Sequence, residues 1–108
     1  MDKRKVLSRD EALELVKKYK RVIRPRFKEE PRVMMFGSYS KGYANPESDI
    51  DVAVIVPSYG DKKHEIGKAL WRDTRLVSFL IEPVLIADDR KSPLYEEVIR
   101  TGILATSD

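Results

Sequence analysis

The sequence MMFGSYSKGYANPESDIDVAVIV, residues 34–56, decides the fold, because two apolar runs flank a segment rich in turn-forming residues. The first run begins two residues earlier, reads RVMMF (32–36) and is typical of a short strand that Gly37 ends. The second run, DIDVAVIV (49–56), is longer and predicts a second strand. The segment between the runs contains glycine, asparagine and proline, so at most a short helical turn fits there.

Two aspartates open the second strand on one face. Because side chains alternate along a strand, Asp49 and Asp51 share a face, while Ile50 and Val52 point to the other. Apolar residues continue on both faces, which is typical of a central strand covered on both sides. Two carboxylates on a largely buried face are costly unless cations or donors compensate them. A divalent metal ion removes that cost, and oxygen-only ligands favour Mg²⁺ or Mn²⁺ over zinc.

The Gly37-Ser38 pair supplies the other half of the expected site. A glycine at a strand end allows close backbone approach, and the amides that follow it can point at a phosphate, with the Ser38 hydroxyl as a further donor. If the two strands pair antiparallel, the end of the first lies beside the start of the second. The sequence then predicts a triphosphate held at Gly37-Ser38, next to metal ions at Asp49 and Asp51.

Two further charged residues are candidates for the same site. Glu82 is the one charge in LVSFLIEPVLI (76–86), a predicted third strand in which Pro83 indicates an edge position. A third carboxylate would help to hold two metal ions and to deprotonate an attacking hydroxyl; the alternative is a solvent-exposed charge on an edge strand. Lys41 is a candidate for neutralising phosphate charge, with plain solvation as its alternative.

The rest of the chain predicts helices around this sheet. A capping-box pattern and helical periodicity predict a first helix over about residues 8–24. A second helix is expected from about residue 61 to 74, with Trp71 packed beside it. A third is expected between residues 92 and 102, followed by a short strand at ILA (103–105). The pattern predicts an α/β (α+β) fold, a small mixed β-sheet with helices packed on it.

Length and composition narrow the class of protein. The 108 residues fit a single domain spanning 1–108. There is no cysteine, so disulfides and thiolate metal sites are excluded, and the chain suits a reducing cytoplasm. No apolar run is long enough to span a bilayer and the start does not read as a signal peptide, so we expect a cytoplasmic protein without a membrane partner.

Positive charge is concentrated in KKYKRVIRPRFK, residues 17–28, although the net charge of the chain is only +3. Such a stretch can bind the phosphates of a nucleic acid. The alternative is the solvated face of an amphipathic helix, which is the more common case.

The candidate site resembles that of the minimal nucleotidyltransferases, or MNT domains, of the DNA polymerase β superfamily. The shared pattern is Gly-Ser, ten residues and Asp-x-Asp, here Gly37-Ser38 followed by Asp49 to Asp51, and the third carboxylate of the family would fall on Glu82. The family often has arginine where Lys41 stands, and lysine keeps the charge but loses the bidentate fork. The resemblance covers most of the chain and implies a polymerase β palm-like nucleotidyltransferase fold.

The resemblance also implies an activity: transfer of a nucleoside monophosphate, here AMP, from ATP or another NTP to an acceptor hydroxyl. In that family the first two carboxylates hold both ions of a two-ion Mg²⁺ site, which implies this role for Asp49 and Asp51. By the same resemblance, Glu82 would hold one ion and assist the nucleophile, and Gly37 and Ser38 would bind the triphosphate.

Stand-alone members of this size resemble the antitoxin of a toxin-antitoxin module whose partner is a HEPN-type toxin. Our hypothesis is therefore nucleotidyl transfer to a hydroxyl of such a partner. Two alternatives stay open: a non-catalytic antitoxin that only binds its partner, and transfer to a small molecule or an RNA end, with residues 17–28 helping to bind the acceptor. The sequence also leaves open whether the chain forms a homo-oligomer.

Overall fold

Helices and strands alternate along the chain, as a computed structural model describes it for residues 6–106. The helices are α1 (Arg9–Ile23), α2 (Ser38–Lys41), α3 (Lys63–Asp73) and α4 (Tyr95–Thr101). The strands are β1 (Arg32–Phe36), β2 (Ile50–Val56), β3 (Ile81–Ala87) and β4 (Ile103–Leu104). Short 3₁₀ helices follow α1 at Arg24–Arg26 and α3 at Thr74–Leu76. The predicted α/β fold is confirmed.

The strands form one mixed sheet in the order β3-β2-β1-β4. β1 pairs antiparallel with both β2 and β4, and its register with β2 places Phe36 opposite Asp51. β2 pairs parallel with β3, which places Asp51 opposite Glu82. The end of β1 and the starts of β2 and β3 therefore lie together at one end of the sheet.

β2 is buried on both faces, as its alternation predicted. On one face, Val52 belongs to a core cluster that includes Val16 of α1 and Leu70 of α3. On the other face, Ala53 clusters with Val98 of α4. Full burial of an aliphatic side chain such as these contributes about 1.5–3 kcal/mol. The two layers hold β2 in place and give the carboxylates at its start a rigid support.

The third strand is shorter than predicted. The stretch from Leu76 to Leu80 turns instead of extending, because the Val77 and Ser78 amides donate to the Thr74 carbonyl at 3.0 and 2.8 Å. The Ser78 hydroxyl then accepts from the Leu80 amide at 3.1 Å. β3 is nevertheless an edge strand, as Pro83 indicated.

Trp71 does not pack as expected. It lies in α3 itself and is 52% exposed. The expectation is wrong because the inward-facing positions of the second half of α3 are taken by Ala69, Leu70 and Asp73.

The first helix begins as predicted, since Ser8 and Glu11 form a complete capping box. Several cations of the basic run have partners within the protein, and Lys20 and Arg26 reach other elements of the fold. Lys20 is buried and donates to the Ala105 carbonyl at 3.0 Å. Arg26 forms a bidentate pair with Asp73. Within residues 6–106, no helix combines the length and apolar character needed to cross a bilayer.

Candidate active site

Gly37 lies directly against Asp51, because the β1–β2 register puts the turn after β1 beside the start of β2. Its backbone has φ 75° and ψ −153°, a conformation that is essentially restricted to glycine. A Cβ atom on this residue would lie 2.1 Å from Oδ2 of Asp51. The turn therefore admits only glycine, and the structure brings the Gly-Ser pair into contact with one of the two aspartates.

The turn that follows is held closed by hydrogen bonds. The Lys41 amide donates to the Gly37 carbonyl at 3.0 Å, which makes Ser38 the first residue of α2. The buried Ser40 hydroxyl lies 3.1 Å from the Gly37 carbonyl and 3.0 Å from the Thr101 carbonyl of α4. Amides in the first turn of a helix have no acceptor inside that helix, so the Ser38 amide is suited to an anion.

The three predicted carboxylates lie at the same end of the sheet. Asp49 is exposed just before β2, whereas Asp51 and Glu82 are half-buried on neighbouring strands. The Glu82 side chain lies beside that of Asp49. Because like charges disfavour each other's ionised forms, negative charge is crowded here.

Burial and crowding together raise two pKa values. Burial raises the pKa of the Asp51 carboxyl, and the charges of Asp49 and Glu97 raise it further. Burial also raises the pKa of Glu82, and the neighbouring Asp49 and Asp51 raise it further. Burial and neighbouring negative charge thus both disfavour the ionised forms of Asp51 and Glu82, which a bound cation would favour.

Lys41 and Glu97 lie at the margin of the carboxylate cluster. The Lys41 ammonium is 3.8 Å from Oε2 of Glu97, and the two side chains are 31% and 38% exposed. Sequence reasoning missed Glu97, because α4 follows β2 by almost forty residues and no local pattern marks this glutamate. Glu97 is held there because the next residue of α4, Val98, packs into the core, and only the tertiary structure shows this packing.

The three carboxylates suit a hard divalent cation, since they offer oxygen ligands at one end of the sheet. Within residues 6–106, however, no three acidic, histidine or cysteine side chains already form a group that could hold a metal ion. Asp49 and Glu82 lie beside each other, and neither belongs to the two core clusters. The residues therefore fit Mg²⁺ by the chemistry of their oxygen ligands.

Comparison with known protein families and relatives agrees with this geometry. Residues 16–97 match the family model described as "Nucleotidyltransferase domain". A protein of Methanocaldococcus jannaschii named "Putative protein adenylyltransferase" is 31% identical over 96 residues, which cover 86% of this chain and 97% of that protein.

Solved structures share the fold at lower sequence identity. A "putative nucleotidyltransferase" from Sulfolobus solfataricus superposes with a TM-score of 0.59 at 20% identity, covering 93% of this chain and 87% of that one. A toxin-antitoxin structure with AMP-PNP gives a TM-score of 0.52 at 22% identity, with 94% and 75% coverage. A mutant of the toxin-antitoxin MntA-HpeT gives 0.50 at 20% identity, again with 94% and 75% coverage.

Proposed function

The chain belongs to the nucleotidyltransferase domain family and is a nucleotidyltransferase, and on that basis we propose that it transfers AMP from ATP to a hydroxyl group of a partner protein. The observation that carries the proposal is the contact of Gly37 with Asp51, with Glu82 opposite Asp51 on the next strand. A triphosphate on the Gly37-Ser38 turn would lie beside the carboxylates. The choice of a protein acceptor and of AMP is supported by the name of the M. jannaschii relative.

In this proposal Asp49, Asp51 and Glu82 would hold Mg²⁺, which supplies Lewis-acid polarisation of the phosphate oxygens when bound. Gly37 and Ser38 orient the triphosphate through the turn amides and the Ser38 hydroxyl. The glycine backbone can approach the phosphates closely because it carries no side chain.

The reaction is a displacement at the α-phosphorus. The acceptor oxygen forms a bond to that phosphorus, the bond to the oxygen bridging to the β-phosphate breaks, and pyrophosphate leaves. Glu82, a carboxyl with a raised pKa, is the candidate to take the proton of the acceptor hydroxyl. Lys41, held near the cluster by Glu97, offers its positive charge to the phosphates.

We further propose that the partner is a toxin of the HEPN type. The shared fold with two toxin-antitoxin structures, one of which contains AMP-PNP, supports a role in such a module. The HEPN identity rests on the resemblance of the Gly-Ser and Asp-x-Asp pattern to antitoxins of that kind.

The test is label transfer from ATP labelled at the α-phosphate, with Mg²⁺, to the proteins of a source lysate or to the product of a co-expressed neighbouring gene. We expect one labelled protein with the wild type and none with Asp51→Asn. Glu96→Gln, which neutralises an exposed carboxylate on α4, is the matched control and should label normally. Equal labelling by Asp51→Asn, or no labelled protein with the wild type, would overturn the proposal. A label that ribonuclease removes would identify RNA as the acceptor.

A further inference from the structure

Three large apolar side chains near the end of α3 remain exposed. Trp71 is 52% exposed, Leu76 72% and Phe79 87%. They lie within nine consecutive residues, and we call them the 71–79 surface. Single exposed apolar residues are common, but a group of this size is typical of an interaction site.

Positive charge surrounds the aromatic part of this surface. Trp71 and Phe79 line an open hollow of about 570 Å³ together with Lys68, Arg72 and Arg75. Tryptophan, phenylalanine and arginine are enriched in protein interfaces, and tryptophan and arginine are frequent hot spots.

Basic residues also surround Leu76, the aliphatic residue of this surface. Leu76 lines a second hollow with Lys18 and Arg21 of α1. Asp73, the one acidic residue between positions 68 and 80, is buried and already bound by Arg26. Apolar and basic side chains, and no acidic one, thus line the two hollows of the 71–79 surface, which is complementary to an acidic partner.

The surface lies at the same end of the sheet as the candidate active site, but on the opposite face. Phe79 precedes Glu82 by three residues, so their Cα atoms are at most about 11 Å apart. The Leu80 carbonyl accepts from the Ile50 amide at 2.7 Å, which fixes the loop against the start of β2. Leu70 of α3 packs on the face of Ile50 and Val52, whereas Asp51, with Glu82 opposite it, points to the other face. A partner bound at Phe79 would thus reach the carboxylates around this end of the sheet.

We propose that the 71–79 surface is the docking site of the protein acceptor, and that the acceptor presents an apolar face flanked by acidic residues. This inference rests on the proposed transfer to a protein. A protein is favoured over single-stranded RNA because Leu76, which is 72% exposed, has no ring on which a base could stack. A partner docked here would lie at the end of the sheet that carries the carboxylates, and its acceptor segment would reach Glu82 around that end.

The test compares label transfer from ATP labelled at the α-phosphate across dilutions of the same source lysate. The variant is Leu76→Ser with Phe79→Ser, and Ile99→Ser is the matched control, since Ile99 is an exposed apolar residue of α4. We expect the double variant to need about tenfold more lysate for half-maximal labelling, as for the loss of one hot spot. Its maximal labelling should match the wild type, and the control should behave as the wild type.

A second variant, Arg72→Glu with Arg75→Glu, tests the charge of the same surface and should show a similar shift. Both positions are exposed, and thermal unfolding followed by circular dichroism checks that the variant folds as the wild type does. If the wild type labels a protein and both variants do so at the same lysate concentration, the docking site is wrong while the proposed transfer stands. If the wild type labels no protein, or only a species removed by ribonuclease, the transfer to a protein fails and the docking site fails with it.

Discussion

Replacing Gly37 with alanine tests the contact on which the candidate site depends. The added methyl group meets two obstacles, the backbone conformation at φ 75° and the Asp51 carboxylate, whose Oδ2 lies 2.1 Å from the new Cβ position. Holding a residue other than glycine in this part of φ/ψ space costs about 1–3 kcal/mol. Ordinary contact begins at 3.4 Å, so the carboxylate oxygen must also move by about 1.3 Å.

Both effects have measurable consequences. Each kcal/mol lowers the unfolding midpoint of a domain of this size by roughly 4–8 °C. A displacement of about 1 Å at a reacting group can lower the rate about 10²-fold. We therefore expect Gly37→Ala to unfold at a lower temperature by circular dichroism and to transfer label from ATP at about one hundredth of the wild-type rate.

Gly60→Ala is the matched control. Gly60 also has a positive φ, 58°, but nothing lies within 4 Å of the Cβ position. This variant should lose about 1–2 kcal/mol through its backbone and keep its activity. Full activity of folded Gly37→Ala, or an equal loss of activity in both variants, would refute the role of the Gly37–Asp51 contact.

Three further predictions concern charge. In EDTA at neutral pH, Asp51→Asn should raise the free energy of unfolding by about 0.5–2 kcal/mol, since it removes a half-buried carboxylate from a crowded cluster; a loss of stability in urea denaturation would contradict this. A carboxyl whose pKa is raised in the folded state stabilises the fold below its unfolded pKa, and that stability is lost as the pH rises through the folded value. In urea denaturation in EDTA, the contribution of Asp51 and Glu82 to stability should therefore fall above about pH 3.8 to 4.5, their ordinary values, and Mg²⁺ should make stability at higher pH greater; identical curves with and without Mg²⁺ would count against ion binding. Arg26→Met should cost about 1–3 kcal/mol, because it leaves the buried Asp73 carboxylate without its bidentate partner, and adding Asp73→Asn should recover part of the loss in a double-mutant cycle.

Local sequence patterns predicted the helices and strands well where the stabilising interactions join residues that are close in the sequence. The capping box at Ser8, the alternation of β2 and the restriction that Pro83 places on its strand each describe interactions between near neighbours. The antiparallel pairing of β1 and β2, which the sequence analysis took as a condition, is observed. These features bring Gly37 and Asp51 together, so half of the candidate site was predictable.

The other half depends on contacts between distant segments. The parallel register that sets Asp51 opposite Glu82 depends on how α3 crosses the sheet, which periodicity does not specify. Glu97 reaches the cluster through the packing of α4. Residues 76–80 read as a strand because they are apolar, but hydrogen bonds to Thr74 turn the backbone there. Leu76 and Phe79, which the sequence placed in the third strand, are exposed outside it as a result.

The proline of the edge strand also affects how copies of this protein meet in a crowded solution. The Asp88 amide donates inward to the Val56 carbonyl, so by alternation the amide position of Pro83 faces outward, away from β2. The row of outward-facing amide donors along β3 is therefore interrupted at Pro83. At the opposite edge, β4 is only two residues long. An incoming chain finds no continuous ladder at either edge, which protects the sheet against growth into aggregates by strand addition.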